Sequence, residues 1–495
     1  MNRFLSPTTA TIRTPPGTIS PPGKSQTYFS PMGFEPRSIP DSPSPVILGF
    51  YLFEGIASGN RHTVGRGRRP QARCAVIDRR GRVASGQGRR PMRVLYLNYE
   101  WDPRESPGAL THIRELSREL AALGHTVMIE NRHRFPDAAG NGTHPQALAA
   151  VHRSSRLRER LSPYLHETAA FCRALRGIGA EVTLIQRQEP EVVLARHSLH
   201  QFSSLIAARR CGVPIVFEVN APTAYEYRQY RSHYHLLPVF AEWLEARTLS
   251  RADGMFVVSE LLKRHFVERG IPEWKVRVVP NGVDISRFRP GTVDPRVRQR
   301  FRGKSVILGF VGSFARFHGI DQLREAIDYI APLRPETCFL MVGAGELATD
   351  LQDHCRRQGL SRRVYFTGHV ASEEVPGLMA AADILIAPYE AQEFFYLSPI
   401  KIFEYMAVGR AVVAAGVGQI REIIQDETNG LLYEPASAGA LGERLLRLVD
   451  DPDFRRRLGE AARRTVESRY TWRVSAEGVA AVLEQARERR RPGGR

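Results

Sequence analysis

The chain has 495 residues, 42% hydrophobic and 25% charged, and a formal net charge of +18. That length holds two or three domains of a soluble globular protein, and no apolar run reaches the roughly 18 residues that a membrane span needs. Residues 1–91 hold 14 Lys+Arg against 4 Asp+Glu, and only five of the 70 basic residues are lysine. The charge therefore reads as an arginine-rich background rather than a built nucleic-acid surface.

Residues 1–91 read as a disordered basic extension. Its first 45 residues are rich in Pro, Ser and Thr, and 61–91 are rich in Gly and Arg, with no sustained periodicity. Met92 then opens a strand abruptly. Two readings stand: Met92 is the true start, or the extension is an arm for membrane or nucleic acid. No signal peptide is evident. The five cysteines, Cys74, Cys172, Cys211, Cys338 and Cys355, are scattered without CxxC or Cys/His spacing. They exclude a sequence-evident metal site and fit a reduced, cytosolic setting.

From residue 92 strands and helices alternate, which predicts an α/β fold with parallel sheets. Strands are expected at 93–98, 126–130, 191–195, 214–219, 254–258 and 276–279. Between them, helices are expected at 108–123, 146–161, 164–175, 202–211, 238–249 and 261–269. The 146–161 helix is basic, with Arg153, Arg156, Arg158 and Arg160, and 225–235 is rich in Tyr, Arg and His. A linker at 285–304, with Pro290, Gly291 and Pro295, leads to a second unit. Its strands fall at 306–311, 338–342, 364–367, 384–387 and 410–414. Its helices fall at 321–330, 347–358, 373–381, 400–407, 420–424, 438–450 and 452–469, and 471–489 is a last amphipathic helix. Two doubly wound units of this kind place a ligand in the cleft at their strand carboxyl ends.

Three loops of the second unit have the residues for that cleft. The first is Gly312-Ser313-Phe314-Ala315-Arg316-Phe317-His318-Gly319, where glycines admit a ligand and Arg316 and His318 suit a diphosphate. The second is Gly343-Ala344-Gly345-Glu346, before a helix. The third runs through Ser398, the expected N-cap, and Pro399, the expected first helical residue, to Ile400 and Lys401. The free N–H groups and dipole of that helix start suit a phosphate. Glu404 lies one turn on, over Ile400. In the first unit, Gly108-Ala109-Leu110-Thr111-His112 opens a helix.

Together these segments resemble the retaining GT-B glycosyltransferases of family 4, the glycosyl transferases group 1. Six pieces carry the resemblance over about residues 92–485: PNGVD at 280–284, VGSFARFHG at 311–319, VYFTGHV at 364–370, AADILIAPYE at 381–390, SPIKIFEYMAVGRAVVA at 398–414 and NGLLYEP at 429–435. VFEVNAP at 216–222, with SPxKxFEYM, looks like a sub-group of that family. The resemblance implies an acceptor-binding Rossmann-like domain at 92–288 and a nucleotide-sugar-binding one at 304–470. It also implies a helix at 471–489 that crosses back to the first domain.

It further implies transfer of a sugar from a nucleotide-sugar donor to a glycan, lipid or small-molecule acceptor, with retention of configuration. No metal is expected, because basic side chains and the helix N-terminus replace it at the diphosphate, and no cofactor, because the nucleotide sugar is itself a substrate. Carried over by residue, His112 lies near the donor sugar and Glu404, the second glutamate of the E-x7-E motif, on the donor ribose. Gly312, Ser313, Arg316, His318, Ser398, Pro399, Ile400 and Lys401 hold the diphosphate and sugar. Gly343, Gly345, Gly368, His369, Val370 and Glu404 hold the nucleoside. Gly108, Ala109, Glu218 and Asn220 lie on the acceptor side. The chain departs from the family where the first motif glutamate falls on Tyr396, with Glu390 and Glu393 nearby as substitutes. Ser398 replaces a glycine, and the basic residues of the diphosphate loop fall near Ser313 and His318, leaving Arg316 to supply charge. These departures keep a second reading open: a degenerate GT-B protein that binds nucleotide or glycan without turnover. A cytoplasmic location is expected, with the basic 153–160 helix and the 225–235 segment touching the inner face of a membrane. No nucleic-acid partner is expected of the folded part.

Overall fold

The structure, a computed structural model, describes residues 90–98, 107–131, 156–199, 201–230, 238–291, 293–303, 306–437 and 439–490, with two short strands before them. Those two, β1 (Val76–Ile77) and β2 (Val83–Ala84), pair antiparallel. Apart from residues 90–91, the rest of the expected 1–91 extension lies outside the described residues, as do Arg153 and residues 231–235 of the Tyr/Arg/His-rich segment.

Six parallel strands form the first sheet: β3 (Arg93–Asn98), β4 (Thr126–Asn131), β5 (Val192–Arg196), β6 (Ile215–Val219), β7 (Gly254–Val257) and β8 (Val276–Val278), in the order β4-β3-β5-β6-β7-β8. Six more form the second: β9 (Val306–Val311), β10 (Thr337–Val342), β11 (Val364–Gly368), β12 (Ile384–Ala387), β13 (Ala411–Ala415) and β14 (Leu431–Tyr433), in the order β11-β10-β9-β12-β13-β14. β6, β7, β10, β12 and β13 are buried along their whole length, as parallel strands covered on both faces must be. This is the α/β, doubly wound arrangement expected. The strand order reverses between β3 and β5 in one sheet and between β9 and β12 in the other, and each reversal opens a crevice at the strand carboxyl ends.

The helices differ from expectation in three places: Thr223–Tyr230 is helical where only a Tyr/Arg/His-rich segment is expected, Pro295–Arg300 is helical inside the expected linker, and one long helix replaces two. The described part of the expected helices at 146–161 and 164–175 is one helix, Arg156–Gln188, which continues past Pro163 and Gly177. Its buried stripe, Ala174, Ile178 and Ile185, packs toward helix Phe202–Arg210, and that packing outweighs the local break signals. The last helix, Trp472–Arg489, lays Ala476, Val479, Ala480, Val482, Leu483 and Ala486 on Val94, Tyr96, Val192, Leu194, Val216 and Phe256 of the first sheet. The last described helix thus covers a face of the first sheet, to which β3 belongs. No described helix is long and apolar enough to cross a membrane.

Candidate functional site

The second sheet ends in three interlocked turns. Backbone hydrogen bonds join them: Gly312 N–H to Val342 O, Phe314 N–H to Ala344 O, Leu347 N–H to Phe314 O, and Gly343 N–H to Gly368 O. This brings Gly312, Ser313, Gly343, Gly345 and Gly368 together at the ends of β9, β10 and β11. Val370 is buried beside them and His369 is exposed. His318, expected as a diphosphate contact, is 7% exposed, and its Nδ1 lies 2.7 Å from Ser313 O and 3.0 Å from Ser313 Oγ. Burial, with the Lys401 ammonium nearby, holds its pKa well below the ordinary histidine value. It is therefore a neutral brace within the loop, not a source of charge. Arg316 stands exposed on the short turn Arg316–His318, where its charge acts on Glu390.

The positive charge at Gly312 comes instead from Lys401. Its ammonium sits 5.1 Å from the Phe310 ring centre and 5.2 Å from that of Tyr389, with no protein acceptor. A Cβ at Gly312 would lie 2.6 Å from Lys401 Nζ, so the glycine leaves open the space in front of the cation. Burial pushes the Lys401 pKa down to about 7, against the pull of Glu404. Glu404, partly exposed on the same helix, is pushed up to about 7 by burial, against Arg287 and Lys401. The helix runs Ile400–Ala407, with Pro399 at the N-cap position and no side-chain cap. Ser398 is thus not the cap the sequence predicts. Its Oγ instead accepts from Asn281 Nδ2 at 3.0 Å, across the two domains.

That bond leads to His112. Asn281 Oδ1 lies 2.9 Å from His112 Nδ1, and His112 Nε2 lies 3.1 Å from Glu218 Oε1. The Trp472 ring meets His112 edge-on at 5.2 Å. Glu218, expected on the acceptor side, has no exposure at all. It also accepts from Tyr96 Oη, Arg196 Nη1 and Asn220 Nδ2. Burial alone would raise its pKa, but His112, Arg196 and these hydrogen bonds hold it far below the usual carboxylate range. Its oxygens are taken up within the protein, so an acceptor contact there is not part of this arrangement. Gly108 and Ala109 lie in the first turn of helix Pro107–Ala122, which carries His112. Sequence reasoning missed Tyr96, Arg196, Asn281 and Trp472. Asn281 alone had a signal, inside PNGVD.

Tyr396 turns away from the second-sheet crevice. It packs with the first domain's core and donates from Oη to Glu226 Oε1 at 2.6 Å. Phe394 stacks on His265 at 4.9 Å and meets Tyr225 at 5.3 Å. The 394–396 loop is thus a clasp between domains. Glu393 is exposed, and Glu390 faces Arg316 and Asp321, so neither stands in the place of a motif carboxylate at 396.

Two family models match the chain: Glycosyltransferase Family 4 over residues 107–287 and Glycosyl transferases group 1 over residues 305–451. The glycogen synthase of Mycobacterium tuberculosis is 25% identical over 420 residues, covering 81% of this chain and 97% of that one. The 2-deoxystreptamine glucosyltransferase of Streptomyces kanamyceticus is 27% identical over 307 residues, 60% of this chain and 77% of its own. Among solved structures, Anabaena Alr3699/HepE in complex with UDP aligns with a TM-score of 0.58 at 18% identity, over 79% of this chain and 100% of that one. The sucrose-phosphate synthase from Thermosynechococcus elongatus aligns at 0.58 and 20%, over 80% and 98%. At these identities the structures share the fold.

Proposed function

The chain belongs to the GT-B glycosyltransferases, pairing a family 4 domain with a group 1 domain, and from that premise we propose that it transfers a sugar from a nucleotide-sugar donor with retention of configuration, using neither metal nor cofactor. The motifs VFEVNAP at 216–222 and SPIKIFEYM at 398–406 support the reading that it is of an EVNAP/SPxKxFEYM sub-group of that family.

The observation that carries this reading is the Lys401 ammonium, buried without an acceptor against Gly312 at a helix start. A diphosphate in that space gains a charge-assisted contact and the helix N–H groups together. As the bond to the sugar breaks, negative charge grows on the leaving diphosphate, and the fixed cation stabilises it most there. Glu404, three residues on, accepts from the ribose hydroxyls. The acceptor, a glycan, lipid or small molecule, enters from the first-domain side. The protein works in the cytoplasm and touches an anionic bilayer through the basic residues of 153–160 and the Tyr/Arg/His-rich 225–235 segment. Vesicle co-sedimentation without salt-sensitive binding rules out that contact.

Calorimetry with UDP, GDP and ADP, and assays with their sugars, test the reading. Lys401→Ala is expected to weaken diphosphate binding about 10- to 100-fold, the worth of a charged hydrogen bond. Glu404→Ala lowers affinity for the preferred nucleotide and lowers turnover. Full affinity and turnover in both variants removes the site. The clasp at Tyr396, where the family has a carboxylate, favours a second reading: a nucleotide- or glycan-binding protein without turnover. Nucleotide binding with no diphosphate released from any donor, in any acceptor mixture, selects it.

A further inference from the structure

Resting on the glycosyl-transfer reading, we propose that Glu218 is a positioning residue for that reaction, which fixes the Nε2 proton of His112 and, through His112 and Asn281, ties the first sheet to the start of the Lys401 helix. Burying a carboxylate is costly unless it is fully paired. Tyr96, Arg196 and Asn220 already supply donors to Glu218, which is what a structural carboxylate would need. The fourth partner is different in kind. His112 Nε2 lies 3.1 Å away, and the other nitrogen of that ring meets Asn281.

Glu218 Oε1 and Asn281 Oδ1 both only accept, so each ring nitrogen of His112 faces an acceptor, and the ring serves both contacts as the imidazolium. Nδ1 meets Asn281 at 2.9 Å, and Asn281 reaches Ser398 at 3.0 Å. Ser398 precedes the Ile400–Ala407 helix, whose first turn holds Lys401. The path Glu218–His112–Asn281–Ser398 thus runs from the interior of one domain to the anion-facing end of the other. Trp472 closes the side of the ring at 5.2 Å. His112 and Asn281 are each held from both sides, which sets the ring plane and the helix start together. Displacements of about 1 Å at such a place cost about 100-fold in rate.

Turnover is followed as nucleoside diphosphate released from UDP-, GDP- and ADP-glucose by the full chain. Glu218→Gln is expected to lower kcat about 100-fold and to change the donor KM less than about threefold. In a His112→Ala background the same change is expected to cost nothing further, because Glu218 acts through His112. Losses that add in the double variant, or a wild-type kcat in Glu218→Gln, overturn the proposal. Ring-nitrogen NMR of wild-type chain labelled at histidine reads the link without any variant. A protonated His112 Nε2 at pH 7.5 is expected, and an unprotonated one overturns it. Absence of release by the wild-type chain sinks the transfer reading beneath it, and that outcome is distinct from either.

Discussion

Lys401 and Glu404 bring an ammonium and a carboxylate into a buried place on one helix. With its pKa pushed down to about 7, Lys401 is mostly neutral at pH 8 in the ligand-free chain. An arriving diphosphate favours the charged form and raises that pKa, so binding at pH 8 takes up close to one proton. The sign follows directly: affinity is highest at or below about pH 7, where Lys401 is already charged, and falls as pH rises above it. Calorimetry of UDP, GDP or ADP in buffers of different ionisation enthalpy measures the uptake, and Lys401→Met removes most of it. Zero uptake by the wild-type chain contradicts the assignment of Lys401. Both residues were legible in the sequence, because a Pro-led helix start with Lys and Glu one turn apart is a local pattern. The His112 network was not. His112 and Asn281 are 169 positions apart, and nothing local in PNGVD says which side chain it meets.

The strands were the readable elements. β9, β10, β12 and β13 are short apolar runs bounded by Gly, Pro or polar residues, and burial on both faces leaves no ambiguity of period. The helix at Arg156–Gln188 was misjudged because Pro163 and Gly177 are break signals that only tertiary packing overrides. A different element-level fact lay outside local reach: the PNGVD turn is pressed against the start of the last helix. Val283 N–H donates to Tyr470 O at 2.9 Å, and a Cβ at Gly282 would stand 2.6 Å from the Thr471 carbonyl carbon. That neighbour is backbone and has no rotamer to give. Gly282→Ala is expected to destabilise the chain by about 1–3 kcal/mol, the cost of overpacking a tight contact. Urea unfolding followed by Trp fluorescence measures it, and a shift under about 0.5 kcal/mol, the scale of an ordinary surface change, contradicts the contact.

At the scale of the molecule, the two sheets are held by the 394–396 clasp, by the Asn281–Ser398 bond, and by Glu422, which accepts from the N–H groups of Glu260 and Leu261. Phe394→Ala is expected to cost about 1–3 kcal/mol as a partly buried aromatic truncation, and Tyr396→Phe about 0.5–1.5 kcal/mol as one lost hydrogen bond. Both are expected to loosen the domain pairing. Small-angle scattering should show a larger radius of gyration for Phe394→Ala than for the wild-type chain, and equal radii sink the clasp. The two-domain order was legible from the repeated strand-helix pattern, whereas the clasp was not, since it joins positions 170 apart. The closing helix has a consequence for how the chain is made. Val94, Tyr96 and Val192 emerge early from a ribosome, while their covering residues, Ala476 to Ala486, emerge nearly three hundred positions after Val192. Throughout that interval helix Pro107–Ala122 covers that face only in part, through Ile113, Leu116 and Leu120, and the remainder is a naked greasy surface in the reach of any holding chaperone until translation has finished the domain downstream.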